Sequence, residues 1–283
     1  MAMHKSSRET KLYDRTNGGP RGARWRGSDF EYQHWVRPTT SESSMFKKRC
    51  VVCLDILGFK NLIVAAESSP AGLLRLQGLR TVLDAHVMWD NQGLADSVPD
   101  THVPKYLFIS DTIIISTPGD AMGARAAVVK SIQIYQKAVE AGHLIRGAMV
   151  LGNVWHDDRN IFGTGWITAF DSQEKDAIHP RVIVSTEISD LLGDDVRETI
   201  LIKDVDGRWI CDVLHPAYIR EAQLQGGIEV FYRQVKAQIA TGLAELGNDS
   251  SKRIVNSARS KWQWTDDFLK KSLTRHGYDA DHF

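Results

Sequence analysis

The sequence predicts an α+β fold, in which short apolar strands form a central sheet and helices lie between them in the chain. Apolar runs rich in β-branched residues, such as CVVCLDILGF and YLFISDTIIIST, are typical of buried strands. Segments with apolar residues at helical spacing follow several of these runs. Gly, Pro and Asp residues, which favour turns and helix ends, separate many of the segments.

The first six elements have the order β-α-β-β-α-β. CVVCLDILGF predicts a buried strand, and LLRLQGLRTVLDAHVMW predicts a helix. YLFISDTIIIST predicts a hairpin with its tight turn at Ser110-Asp111. Residues 120–142 predict a helix that begins near Asp120 and stops at Gly142, and LIRGAMVLGNVW predicts the next strand. This order is that of the split βαβ, ferredoxin-like arrangement.

An αβ unit, a hairpin and C-terminal helices follow this core. GWITAFDSQEKDA predicts a short helix and RVIVS a strand. TILIKDV and RWICDVL predict two strands around a turn at Asp206-Gly207. After Pro216 the chain is predicted to be helical, chiefly in IEVFYRQVKAQIATGLAELG and SKRIVNSARSKWQWTDDFLKKSL.

Composition divides the chain into three parts. Residues 1–44 are rich in Ser, Arg, Gly and Thr and show no sustained period, which predicts a flexible N-terminal extension. We expect a principal domain over residues 45–215, because the strand and helix patterns begin at Met45. Residues 216–283 are predicted to form a C-terminal helical extension.

Charge and hydropathy exclude several classes of partner. The 283 residues include 35 basic and 35 acidic side chains, so no net charge draws the chain to nucleic acid or to an anionic membrane. No apolar run approaches the roughly 20 residues that span a bilayer, and the N-terminus lacks the apolar stretch of a secretory signal. We therefore expect a cytoplasmic protein. Cys50 and Cys53 lie in a strand-like run on opposite faces, which disfavours a redox or zinc pair.

Two aspartates stand where chemistry is expected. Asp55 ends the first strand, and a helix begins within the following ILGFK, where free backbone N–H groups can bind phosphate oxygens. Asp111 lies at the hairpin tip, and the element order brings that tip near the end of the first strand. Two close carboxylates repel one another unless a divalent ion such as Mg²⁺ or Mn²⁺ lies between them. The alternative is that each aspartate only caps a helix or closes a turn.

These motifs resemble those of the class III adenylyl and guanylyl cyclases. Asp55-Ile56-Leu57-Gly58-Phe59 is similar to their first metal motif, and Ser110-Asp111 to the Gly-Asp of their central hairpin. Arg146-Gly147 with Gly152 resembles the following strand, and FGTGWITAFDSQEKDAIHPRVIVS resembles their last dimer-facing segment. The resemblance covers roughly residues 47–213.

The resemblance implies that residues 45–215 form a nucleotidyl cyclase domain of a head-to-tail homodimer with sites at the interface. Asp55 and Asp111, with the Ile56 carbonyl, would bind two Mn²⁺ or Mg²⁺ ions. The 3′-hydroxyl of a bound nucleoside triphosphate would then attack its own α-phosphate. The residues that would hold the phosphates are Leu57, Gly58, Phe59 and Lys60.

Three further polar residues are candidates for contact with the nucleotide, and Arg146 and Lys60 each have a second interpretation. Arg146 lies on a strand, where a charge is expected either to contact the nucleotide or to form an internal salt bridge. Lys60 is expected either to meet a phosphate or to lie solvated at the surface. Tyr106 precedes the hairpin turn and is a candidate for contact with the base.

This chain differs from the family pattern at the residues that recognise the base and at those that stabilise the transition state. Adenylyl cyclases carry a base-reading Lys where this chain has Leu107, and a base-reading Asp near Thr164. Their transition-state Asn and Arg fall near Ile167 and Asp171. The sequence therefore lacks the pattern that reads ATP.

The short, single-domain cyclases of bacterial Pycsar antiphage systems are similar to this chain in the RG…G strand and in the segment that contains Ala169, Ala177, Pro180 and Arg181. This resemblance implies UTP, or CTP, as substrate and cyclic UMP or cyclic CMP as a signal read by a separate effector. The alternatives are a catalytically inactive nucleotide-binding scaffold and an ATP cyclase.

Overall fold

The computed structural model describes residues 45–86, 103–218, 227–246 and 253–280, and it confirms the α+β class. The predicted extension over residues 1–44 lies outside these ranges. The strands are β1 (Lys47–Ile56), β2 (Lys105–Ile109), β3 (Thr112–Pro118), β4 (Ile145–His156), β5 (Ile161–Phe162), β6 (Val182–Val184), β7 (Leu201–Lys203) and β8 (Trp209–Cys211). The helices are α1 (Phe59–Ser68), α2 (Pro70–His86), α3 (Ala121–Glu140), α4 (Thr164–Lys175), α5 (Thr186–Leu192), α6 (Asp194–Ile200), α7 (Gly227–Glu245) and α8 (Arg253–Arg275), with a 3₁₀ turn at Pro216–Tyr218.

An eight-stranded mixed sheet lies at the centre of the fold. Its order is β2-β3-β1-β4-β6-β8-β7, and β5 pairs with β4 outside that path. β1 is central, because β3 and β4 pair with it on either side, both antiparallel. β4 and β6 run parallel. The end of β1 therefore adjoins the β2–β3 hairpin, as the element order predicts.

Both faces of β1 are buried, and its alternating side chains enter two separate clusters. Val52 and Leu54 belong to the larger cluster, which includes α3 residues and buried residues of α7 and α8. Val51 and Cys53 belong to the smaller cluster, which includes Ala169 of α4. Because side chains alternate along a strand, Asp55 follows Val51 and Cys53 onto the face beneath α4.

Helices α7 and α8 are confirmed and share the larger core cluster with the sheet. Their buried members are Phe231, Tyr232, Val235, Ile239, Phe268, Leu269 and Leu273. The division of the chain at residue 216 stays a prediction. None of the described helices combines the length and the apolar character that crossing a membrane requires.

Residues 186–200 differ from the sequence prediction. The strand predicted over TILIKDV is wrong at its start, because Thr199 and Ile200 end helix α6 and the strand begins at Leu201. The sequence predicts no element for α5, which begins where the Ser185 hydroxyl accepts a hydrogen bond from the Ile188 N–H at 3.5 Å. A short apolar run of this length fits either a helix or a strand, and packing decides between them.

Two buried histidines are neutral parts of the core. The Ser116 hydroxyl accepts a hydrogen bond from Arg49 Nε at 3.0 Å, so its proton is available for His156 Nδ1 at 2.8 Å. His143 is also buried, in the loop between α3 and β4. Burial is the main cause that lowers the pKa of both rings from 6.5 to about 4.

We expect the free energy of unfolding to fall as the pH drops from about 6.5 toward 4. In this window His143 and His156 are protonated in the unfolded chain but stay neutral in the native state. Acidification therefore lowers the free energy of unfolding, by about 3 kcal/mol for each ring at pH 4. Urea unfolding between pH 7 and pH 4.5 measures this slope. His143→Gln and His156→Gln should each flatten it, and an unchanged slope in both variants would contradict the assignment.

Candidate active site

Asp55 and Asp111 lie side by side at the end of β1. Asp55 is paired with Thr112 across the β1–β3 ladder, and the Ile56 N–H donates to the Asp111 carbonyl oxygen at 3.1 Å. Ser110, the first residue of the two-residue turn, has a φ of 58°, a left-handed conformation that is uncommon outside glycine. This turn holds Asp111 next to the last residues of β1. The backbones of Asp55 and Asp111 are thus neighbours at this end of the sheet, and the convergence of their carboxylates stays a prediction.

Asp55 forms an ion pair with Arg146, which lies directly opposite it on β4. Arg146 Nε donates to Asp55 Oδ2 at 2.9 Å, and both side chains are mostly buried. Of the two interpretations of Arg146, the structure contains the internal salt bridge. The remaining 23% of the Arg146 side chain is exposed and accessible to a ligand.

Helix α4 accepts hydrogen bonds from the Arg146 guanidinium. Arg146 Nη1 donates to the Glu174 carbonyl oxygen at 3.4 Å. In the amide orientation that satisfies both groups, the Gln173 side-chain oxygen accepts from Arg146 Nη2 at 3.2 Å and shares the Nε–H, at 2.9 Å, with Asp55. Gln173 is itself buried. The α4 helix therefore sets the orientation of the side chain that binds Asp55, a link that the sequence does not predict.

The β1–α1 turn (residues 57–58) leads from Asp55 into α1. The Leu57 N–H donates to the Leu144 carbonyl oxygen at 2.9 Å, which ties the turn to the loop before β4. Gly58 is the N-cap of α1 with a φ of 79°, and no side chain caps the helix start. A Cβ at Gly58 would meet no atom within 4 Å, so this turn borders open space. Phe59 is half-buried and Lys60 is exposed.

A groove of about 790 Å³ opens beside this helix start. The β1–α1 turn and α1 form one wall, and the loop before β4 forms the floor. The far wall comes from α7 and α8. We call it the α1–α8 groove. Residues that define it are Leu57, Gly58, Phe59, Gly142, His143, Leu144, Thr241, Gly242, Lys261 and Trp262.

The sequence predicts no part of the site in the C-terminal helices. Their side chains reach the groove only through tertiary packing, and no local pattern distinguishes Lys261 from the other lysines of α8. Trp262 is predicted to be a packing residue, and it lies against Gly242 of α7 while also lining the groove.

Tyr106 lies apart from the α1–α8 groove. It borders a second cavity of about 490 Å³ between α1, α2 and β2, together with Leu107 and Phe108. Phe59 lines both cavities, so they meet at the start of α1. The base contact predicted for Tyr106 would therefore place the base on the β2 side of Phe59.

The four positions where the family pattern is absent lie on β2 and α4. Leu107 is half-buried on β2, and Thr164 begins α4. Ile167 is exposed on α4, and Asp171 forms an ion pair with Lys175 at 2.7 Å. None of these contacts provides a substitute for a transition-state amide or guanidinium.

Arg181 forms internal ion pairs that stabilise the fold. It is buried and forms ion pairs with Asp204 and with Asp206, the latter at 2.8 Å. Its Nη2 also donates to the Asp176 carbonyl oxygen at 3.0 Å. These partners join the loop before β6 to the β7–β8 hairpin.

A second group of ligand-type side chains comprises Asp212, His215 and His276, whose donor atoms lie within 4.8 Å of one another. Asp212 is fully buried and accepts from Ser272 Oγ at 3.2 Å and from His276 Nε2 at 2.9 Å. Arg275 Nη1 lies 3.6 Å from the same carboxylate. Because Asp212 is fully buried and both of its oxygens already accept hydrogen bonds, this group fits a network that joins β8 to α8 better than a cation site.

Comparison with known proteins gives matches to solved structures only at low identity and low TM-score. No protein-family model matches the chain, and no curated protein matches it in sequence. The chain is similar to a class III adenylyl cyclase-like ATP-binding protein from Pseudomonas aeruginosa, with 11% identity and a TM-score of 0.38; the match covers 58% of this chain and only 38% of that protein.

Two further solved structures are similar to the chain. One is the catalytic core of a rhodopsin-guanylyl cyclase with converted specificity in complex with ATPαS, with 15% identity, a TM-score of 0.37 and coverage of 58% of this chain and 96% of that chain. The other is a bacterial light-regulated adenylyl cyclase, with 10% identity, a TM-score of 0.34 and coverage of 68% of this chain and 57% of that chain.

Proposed function

We propose that this chain is a nucleotidyl cyclase, which closes a nucleoside triphosphate to its 3′,5′-cyclic monophosphate and releases pyrophosphate. The observation that carries the proposal is the adjacency of Asp55 and Asp111 at the end of β1, beside an uncapped helix start. Carboxylates that converge next to free backbone N–H groups can hold a metal–triphosphate complex. The motif at residues 55–59 supports the same activity.

The proposed cofactors are two divalent ions, Mn²⁺ or Mg²⁺. The donors would be the carboxylates of Asp55 and Asp111 and the Ile56 carbonyl, and hard cations prefer such oxygen ligands. Among the described residues, Asp111 has no ion-pair partner, and Asp55 accepts from Arg146 through Oδ2 alone. Both carboxylates thus retain acceptor capacity for a cation. Bound ions would activate the attacking hydroxyl and neutralise the leaving pyrophosphate.

The chain's own groups would position the substrate. The first N–H groups of α1 and the Lys60 ammonium would bind phosphate oxygens, and Gly58 would let the backbone approach them. Arg146 would keep the Asp55 carboxylate oriented toward the ions. Tyr106 would contact the base from the second cavity.

A homodimer would complete the site. Several large apolar side chains are exposed on and near α4, namely Phe162, Ile167 and Phe170, and two more are exposed near the hairpin tip, Phe108 and Ile109. Clustered exposed apolar residues fit a protein interface better than a solvated surface. A second copy of the chain is the proposed partner, and its contact would supply groups that α4 lacks at Ile167 and Asp171.

Ile167→Glu is expected to convert a dimer into monomers and to lower the cyclase rate roughly tenfold or more, because it places a charge in an apolar interface. Ile167 is 59% exposed in the single chain, so the Ile167→Glu variant should fold normally. Val205→Glu is the matched control, since Val205 is 91% exposed at the β7–β8 turn. Analytical ultracentrifugation measures the mass, and a dimer that survives Ile167→Glu would place the interface elsewhere.

For the base, we propose a pyrimidine, with UTP favoured over CTP. Leu107 and Thr164 stand where ATP-reading residues would be, so a purine-specific pocket has no support in the described residues. The subgroup resemblance supports a role as the signal generator of a cytoplasmic antiphage system with a separate effector. The second candidate is an inactive nucleotide-binding scaffold, which the absence of Asn and Arg at positions 167 and 171 favours.

A substrate survey tests this function. The purified chain is incubated with Mn²⁺ or Mg²⁺ and with ATP, GTP, CTP or UTP separately, and the products are identified by mass spectrometry. Cyclic UMP or cyclic CMP would support the main proposal and identify the base. Cyclic AMP alone would overturn the pyrimidine proposal. Nucleotide binding without any cyclic product would favour the scaffold.

A further inference from the structure

The first half of helix α8 lines the groove beside the end of β1, and aromatic packing holds it there. The Trp262 indole packs against Gly242 of α7, where a Cβ at residue 242 would lie 2.3 Å from the indole. Trp264 stacks on His179 with ring centroids 5.8 Å apart and on Phe268 with centroids 5.0 Å apart. These contacts determine the rotation of α8 about its axis near residue 261.

Buried contacts further along α8 determine its position along that axis. Thr265 and Ser272 are fully buried, and Ser272 Oγ donates to Asp212 Oδ1 at 3.2 Å. Arg275 Nη1 donates to the Leu201 carbonyl oxygen at 3.0 Å. A helix held at several points along its length cannot slide by one residue without losing these hydrogen bonds. The position of Lys261 is therefore set by the core.

Lys261 lies on the wall of the α1–α8 groove that faces the β1–α1 turn. In the described part of the chain it forms no salt bridge, although it is half-buried. Burial and the nearby Arg146 guanidinium lower the pKa of Lys261, while the Asp55 carboxylate opposes them. The Lys261 ammonium therefore lies near the Arg146–Asp55 pair at this end of the groove, and an ammonium without a salt-bridge partner among the described residues favours an anionic ligand.

We infer that Lys261 binds a phosphate group of the nucleoside triphosphate, so that the C-terminal helix supplies part of the active site from within the same chain. The inference rests on the proposed function. Lys261 lies beyond residues 47–213, where the family motifs occur, so those motifs assign it no role. An ammonium on one wall and the uncapped N–H groups of α1 on the other form a two-sided phosphate site.

Binding of inorganic tripolyphosphate, measured by isothermal titration calorimetry with Mg²⁺ present, tests this role without turnover. Lys261→Met should weaken binding roughly tenfold or more, because it removes one charge-assisted hydrogen bond. Lys261→Arg should retain most of the affinity. Lys271→Met is the matched control, since Lys271 is exposed on the same helix. Melting temperatures establish that each variant is folded.

The outcomes separate this inference from the proposed function. If Lys261→Met weakens tripolyphosphate binding but the wild type cyclises no triphosphate, the inference stands and the proposed function fails. If the wild type cyclises a triphosphate but Lys261→Met binds tripolyphosphate normally and keeps the wild-type KM, the inference is overturned. A wild-type chain that binds no tripolyphosphate also overturns it.

Discussion

Asp55→Asn and Asp111→Asn are each expected to lower the rate of cyclic nucleotide formation by roughly a thousandfold or more, because each would remove an anionic ligand of the proposed metal ions, which would activate the hydroxyl and neutralise pyrophosphate. Asparagine keeps the shape of the side chain, so the geometry at the end of β1 should persist. The initial rate of product formation, measured by mass spectrometry with Mn²⁺ or Mg²⁺, gives the result directly.

The two variants should differ in stability. Asp55→Asn removes the charge that binds Arg146 in a mostly buried ion pair. We expect this change to lower the free energy of unfolding by about 1–3 kcal/mol. Asp111 has no ion-pair partner among the described residues, so Asp111→Asn should change stability by less than about 0.5 kcal/mol. Loss of activity without loss of stability in Asp111→Asn would therefore identify a functional carboxylate.

Asp195→Asn is the matched control, because it makes the same chemical change at an exposed position on α6. It should leave the rate unchanged. Near-wild-type activity in either Asp55→Asn or Asp111→Asn would remove that residue from the proposed metal site. Addition of EDTA should abolish product formation in the wild type for the same reason.

Gly152→Ala is expected to destabilise the fold by about 3 kcal/mol, at the upper end of the usual cost of overpacking. A Cβ on Gly152 would lie 2.5 Å from Gly165 Cα, and one on Gly165 would lie 2.9 Å from the Gly152 carbonyl carbon. Here β4 backbone meets α4 backbone, so no side-chain rotation can relieve the clash. Helix α4 must move away from the sheet.

The displacement should also lower activity, because α4 carries Gln173 and Glu174, which hold the guanidinium that binds Asp55. Gly78→Ala is the control: Gly78 is exposed in α2, a Cβ there meets nothing within 4 Å, and the change should stabilise by about 0.5–1 kcal/mol. Urea unfolding compares the two variants. Equal stability of Gly152→Ala and the wild type would show that α4 moves freely.

The central elements of the fold follow from local pattern. Strand β1, the β2–β3 hairpin and helix α3 are correct because alternation, a two-residue turn and a capping Asp120 are properties of short segments. The opposite faces of Cys50 and Cys53 are confirmed by their separate core clusters. The strand predicted at residues 199–200 is wrong, because a brief apolar run fits the spacing of a helix as well as that of a strand.

The sequence by itself determined the α+β class, the order of its core elements and the adjacency of Asp55 and Asp111, since strand order and turn length bring those residues together. Only the tertiary structure decided that Arg146 binds Asp55, that α4 holds Arg146, and that Lys261 reaches the groove. The physical reason is that these contacts join residues far apart in the chain. They depend on the rotation and position of each helix relative to the sheet, and the packing of many side chains determines both.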